Sequence, residues 1–266
     1  MISSPVPVFD GHEGRSRFPL DEAPEALPPS APHIDEEPTA FALVEWLLKN
    51  PRNVDWLNRQ PRWQRELFPR FLLIALTGYL AYSLLVVLLL SLAPAAAYPH
   101  SPWLTMPSAS WRGGTPWSLP LAFATGTVLA ACVCLPSFYF YSLLAGVRLT
   151  WLQITSVVGK GMAANAILLL GLAPIYLVAA LGMIILDAPL ELLHATMWIG
   201  LALPFLVGLW GMYAIYCGVM DATSDLPVEW RCGRYCFLRR LVLAWSGVYA
   251  AVVPIMIFRL WAMWSA

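Results

Sequence analysis

Charge is what this sequence has little of. Only 12% of its 266 residues are Asp, Glu, Lys or Arg, while 59% are hydrophobic. A soluble domain carries about 25% charged residues, so this composition excludes an ordinary soluble fold. The deficit is also uneven. Five long runs hold no charged residue at all: Phe71 to Leu92, Leu119 to Ala145, Gly161 to Leu186, Ala195 to Met220 and Leu241 to Phe258. Each reaches the roughly 18 uncharged residues that mark a membrane-spanning helix. A β-barrel is excluded by the same runs, because its strands are about 10 residues of alternating polarity.

Histidine is scarce too. His12 and His33 fall in the N-terminal segment, His100 between the first two runs, and His194 at the edge of the fourth. No run carries His, Asp or Glu at mid-depth. That excludes a haem held by intramembrane histidines and a proton relay built on a buried carboxylate. No His-Glu-x-x-His, Gly-x-Ser-x-Gly or Gly-rich Lys loop occurs, so a metalloprotease, a serine hydrolase elbow and a P-loop are excluded as well. No catalytic residue, cofactor site or metal site is expected. The expected fold class is therefore an all-α membrane protein, a bundle of five transmembrane helices with interfacial amphipathic helices before the first span.

Three regions are expected. Residues 1–38 contain "DEAPEALPPSAPHIDEEP", rich in Pro and acid and poor in large apolar residues. Such a segment cannot offset its chain entropy by burial, which predicts an acidic, disordered tail. Residues 39–70 begin with "TAFALVEWLLKNP", a short helix with Thr39 as its cap and Pro51 after its end. Then Trp56, Trp63, Leu67 and Phe68 alternate with Arg59, Arg62 and Arg65, and Arg70 follows. Indole rings favour the headgroup level and Arg pairs with anionic lipid, so this stretch is expected to lie on the membrane surface. Trp56, Arg59, Arg62, Trp63, Arg65 and Arg70 form the candidate lipid or partner interface. Arg and Trp together also suit nucleic acid, but beside a span anionic lipid supplies the same charge, and no nucleic-acid partner is expected. Residues 71–266 form the five-helix domain. No signal peptide is expected before the first run.

Lysine is almost absent: Lys49 and Lys160 stand against fourteen Arg. Cations gather before the first run, between the second and third (Arg148, Lys160) and between the fourth and fifth (Arg231, Arg234, Arg239, Arg240). The other side has only Arg112 and Arg259. The asymmetry predicts a cytoplasmic N-terminus and a C-terminus outside.

Five cysteines remain. Cys132 and Cys134 point about 200° apart on a helix and cannot share a metal. Cys134 belongs instead to a small-residue stripe with Gly126 and Ala130, a spacing that permits close helix contact. Gly247 and Ala251 repeat that spacing in the fifth run. Cys232 and Cys236 ("CGRYC") lie among cations that lower a thiol pKa, and are the candidate reactive thiols. Asn165, near the inner end of the third run, is the candidate polar contact inside the membrane. The last four runs each hold a proline, Pro136, Pro174, Pro204 and Pro254, which predicts kinks.

The layout of five spans, an acidic N-terminal region and surface segments before the first span resembles the five-span Yip (Yip/YIPF-type) membrane proteins, bacterial-type members included. The local likeness is "LPSFYFYSLLAGVRLTWLQ" (135–153) and "GLWGMYAIYCGVMDAT" (208–223). The resemblance implies membrane organisation or partner recruitment, with no catalytic residues to carry over. The expectation is a non-catalytic organising or accessory subunit of a multi-pass membrane complex, located in a bacterial inner membrane, that recruits protein partners through its cytoplasmic N-terminal region. The alternative is a transporter or permease subunit. Its signature is a pathway built from prolines, Asn165 and tyrosines, with "EWRCGRYCFLRR" as a coupling loop. An enzyme acting on lipid has no nucleophile and base to name.

Overall fold

The computed structural model describes residues 39–94, 117–144, 149–222 and 228–265. Residues 1–38, residues 95–116 between the first two runs, and Arg148 lie outside these residues. The described residues form seven helices and no strand: α1 (Ala40–Lys49), α2 (Pro51–Arg59), α3 (Pro61–Leu92), α4 (Ser118–Leu144), α5 (Trp151–Ile185), α6 (Leu190–Ala222) and α7 (Val228–Ser265). The last five are long and apolar enough to cross a membrane. The protein is an all-α, multi-pass membrane protein.

Local chemistry sets the helix boundaries. Thr39 caps α1, its Oγ1 accepting from the Ala42 N–H at 3.3 Å. Lys49 closes the same helix by pairing with Glu45 at 2.6 Å. Its hydrogen bond, and then its charge, hold the Glu45 carboxyl below the usual carboxylate range. Pro51 and Pro61 open α2 and α3 at the first helical turn, where the missing N–H costs nothing.

Two boundaries differ from the sequence reading. Residues 61–70 are not a separate surface helix. They are the opening turns of α3, which runs through Pro69 into the first span. The helix that carries the third span starts ten residues before Gly161. The α5 helix begins at Trp151 behind a capping box in which Thr150 and Gln153 bond reciprocally, at 2.8 and 3.2 Å. The stretch holding Cys232 and Cys236 is helical, the opening of α7, rather than a loop.

The five long helices pack in the spatial order α6, α5, α3, α4, α7. Each neighbouring pair in that order is closely packed, while α6 and α7 touch little, so the ring stays open at one seam. Chain order does not set this arrangement: α4 and α5 are consecutive yet barely meet. One close approach runs through the small-residue stripe of α4. A Cβ on Gly126 would sit 2.9 Å from Ile257 Cγ1 and 3.0 Å from its Cα. Cys134 is buried, and its carbonyl accepts from the Trp245 indole N–H at 2.9 Å. Trp245 is itself fully buried, 4.5 Å from the Phe138 ring and stacked on Tyr249. The cysteine and aromatic segment of α4 is a packing surface for α7.

All four expected prolines lie inside helices that continue past them. Each leaves a carbonyl four residues earlier without its helical donor. For Pro204 that carbonyl is Gly200 O, and Tyr82 Oη of α3 donates to it at 2.7 Å. In lipid such a carbonyl has no water to turn to. The tyrosine therefore satisfies the kink and joins α3 to α6 at once.

Candidate functional site

The first site lies where α2, α5 and α6 meet. Asp55 and Asn58 stand three residues apart, on one face of α2. Ser156 and Lys160 stand four apart on α5. The Lys160 ammonium pairs with the Asp55 carboxylate, and the side chains are only 4% and 13% exposed. Ser156 Oγ donates to Asn58 Oδ1. Gln64 Nε2 reaches back to Asn58 O at 2.9 Å and ties the end of α2 to α3. Gly218 of α6 leaves the room: a Cβ there would stand 3.6 Å from Asp55 Oδ1. Beneath this polar layer Leu43, Val54, Leu57, Leu67 and Phe71 are buried. The α2 helix is thus held on the bundle by an ion pair above an apolar core.

Lys160 corrects the sequence reading. It is not a loop cation between spans. It sits ten residues into α5 and is buried. Its partner is 105 residues away in sequence, which is why no local pattern revealed it. The hint was available in hindsight: one of only two lysines in the chain, between Gly159 and Gly161.

The candidate interface residues divide. Trp56 is exposed on α2, and Arg62 and Arg65 are exposed on the first turns of α3. The Arg62 guanidinium carbon lies 5.7 Å from the Trp63 ring centroid, a cation–π contact that keeps the pair together. Trp63 and Arg70 are half-buried. The side chain of Arg59 lies outside the described residues, as does that of Cys232. Cys236 is exposed and free. Among the described residues no three His, Cys, Asp or Glu side chains gather as metal ligands.

Arg62→Glu with Arg65→Glu is expected to remove the stabilisation that anionic lipid confers, at about 1 kcal/mol for each Arg near the surface. Thermal unfolding in nanodiscs of anionic and of zwitterionic lipid measures it. An anionic-lipid advantage equal to that of the unmodified protein would remove these residues from the lipid interface.

The second site is the seam. A cavity of about 780 Å³ opens between α6 and α7, and Tyr79, Phe123, Thr127 and Asn165 form its back wall. Pro204 and Pro254 border it, with Tyr213 and Tyr216 on α6 and Tyr249 on α7. Among the described residues Arg239 is the one charged residue in its lining. Asn165 Nδ2 donates to Tyr79 Oη at 2.9 Å, and Tyr79 Oη donates to Met162 O at 3.2 Å. That leaves Asn165 Oδ1 buried without a hydrogen-bond partner. Asn165 thus bonds from α5 to α3, and among the described residues one of its acceptors remains unused. Gly208 and Gly247 lie in the lining with no atom within 4 Å of an added Cβ. So the stripe of Gly247 lines open space, whereas that of Gly126 packs.

No protein-family model, curated protein or solved structure matches the chain.

Proposed function

We propose that this protein is a non-catalytic organising or accessory subunit of a membrane complex, and that it recruits partners through its N-terminal region. The observation that carries this reading is the Asp55–Lys160 pair. An ion pair buried at a helix junction is a device for position more than for stability. Here it fixes α2, and with it α1, on the bundle. The platform so held carries Phe41 and Leu48 at 89% and 67% exposure, and Trp56 is exposed on α2. Exposed apolar side chains outside the spans suit a protein partner or the lipid interface. The cation asymmetry supports a cytoplasmic side for this platform, with the C-terminus outside. The resemblance to the five-span Yip proteins, bacterial members included, points to the same role in a bacterial inner membrane.

Purification in mild detergent from native membranes, with mass spectrometry of what co-elutes, tests the reading. Stoichiometric partners are expected with the unmodified chain. They are expected to be lost with Phe41→Asp and Leu48→Asp, which touch no buried contact. A chain that elutes alone at native abundance would overturn the subunit role.

A second reading has its own support. The seam cavity collects two of the four prolines, Pro204 and Pro254, with four tyrosines and Asn165, part of the signature a transport pathway requires. Flux through reconstituted proteoliposomes, lost on Asn165→Leu, would favour a transporter or permease subunit.

A further inference from the structure

We propose that the seam between α6 and α7 is a binding site for one anionic phospholipid, with an acyl chain in the cavity and the phosphate at Arg239. This goes beyond the organising role and does not depend on it.

The shape suits a chain. Along α7 the lining runs from Arg239 to Pro254. At about 1.5 Å per residue that is about 22 Å. One leaflet of hydrocarbon is about 15 Å deep, half of the bilayer core. A chain whose headgroup sits at Arg239 therefore reaches past the midplane within the cavity. Its volume of about 780 Å³ lies within the range of sites that enclose small ligands.

The walls suit hydrocarbon. Leu209, Met212, Leu243 and Val253 line it. Leu209 and Leu243 are 66% and 59% exposed, so the opening faces sideways, where a lipid can enter from the bilayer. The ends differ. Arg239 is exposed at one end, and among the described residues it forms no ion pair. A guanidinium matches phosphate geometry with two parallel donors, and its stem can lie along the apolar wall. Among the described residues no anionic side chain lines the cavity to compete. Phosphatidylglycerol, whose net charge is negative, is the fitting probe.

The two open glycines supply the test. Gly208→Phe with Gly247→Leu fills the cavity without meeting a neighbour within 4 Å of either Cβ. Gly171→Leu is the control, because Gly171 is equally open but lies outside the cavity lining. Full-length protein is purified in detergent and titrated with phosphatidylglycerol or phosphatidylcholine, and bound lipid is counted by native mass spectrometry. The unmodified chain is expected to retain one phosphatidylglycerol in preference to phosphatidylcholine. The double glycine variant is expected to lose at least tenfold in affinity, and Gly171→Leu to lose nothing. Arg239→Gln is expected to lower the preference for the anionic lipid about fivefold while leaving phosphatidylcholine binding in place. Arg239 is exposed, so this variant keeps the fold and remains informative if the double variant does not fold. Equal retention of both lipids by the unmodified chain, an unchanged preference in Arg239→Gln, or unchanged retention in a folded double variant would each overturn the proposal. So would a seam filled by a second copy, seen as an unmodified chain that binds no lipid and becomes smaller when Gly208 and Gly247 are enlarged.

Discussion

Lys160→Met is expected to destabilise the junction of α2 with the bundle by about 3–5 kcal/mol, the usual result of removing one partner of a buried ion pair. Asp55, whose side chain is only 13% exposed, would lose this counter-charge. The reciprocal change, Asp55→Leu, strands a buried ammonium and is expected to cost about as much. The double variant should recover most of the loss, because two apolar side chains of similar volume need no solvation. Thermal unfolding of all four proteins in one detergent gives the coupling. Additive losses in the double variant would mean that the two charges act separately. Protease access to the α2–α3 connection supplies a second readout. It should rise in each single variant and fall back in the double one.

Gly126→Leu is expected to abolish close packing of α4 on α7. The physical reason is backbone on the far side. An added Cβ would meet Ile257 Cα at 3.0 Å and Ile257 N at 3.1 Å, and neither can turn aside as a side-chain tip could. Even Gly126→Ala should cost about 1–3 kcal/mol, typical of overpacking in a tight core. Leucine should remove most folded protein from a mild-detergent preparation. Gly247→Ala is the matched control, since nothing lies within 4 Å of its Cβ and alanine favours the helix. A Gly126→Ala protein as stable as Gly247→Ala would show that α4 and α7 are not held at this distance. The bond from Trp245 to Cys134 O would then be unmade as well.

These two results bear on different parts of the molecule. The first concerns how the N-terminal helices are fixed, and hence whether a partner surface is held in one place. The second concerns the far wall of the seam, because α7 can stand away from α6 only while α4 grips its other face.

The spans were legible because the bilayer imposes one crude demand, about 20 apolar residues per crossing, and composition alone meets it. The cap at Thr39 was equally legible, since a cap is made within three residues of chain. So was the use of Gly126, Ala130 and Cys134 as a contact stripe. The same spacing at Gly247 and Ala251 faces a cavity at Gly247, and nothing in the spacing distinguishes the two cases. A stripe states that close approach is possible, and only the neighbouring helix decides whether it occurs. The capping box at Thr150 was present in the sequence, yet the later apolar run drew the boundary to Gly161. Hydropathy locates the membrane rather than the helix end.

By itself the sequence determined an all-helical membrane fold with five long apolar helices, because hydrophobic length and charge distribution are additive properties of the chain. Only the tertiary structure decided which helices touch. It paired α3 with α5 and α4 with α7, left a seam at α6 and α7, and joined Asp55 to Lys160. Those outcomes depend on side chains distant in sequence meeting at a few ångströms, and pairwise contact is not additive along a chain. A lysine that reads as a loop cation in one dimension is, in three, the counter-charge that holds the N-terminal helices in place.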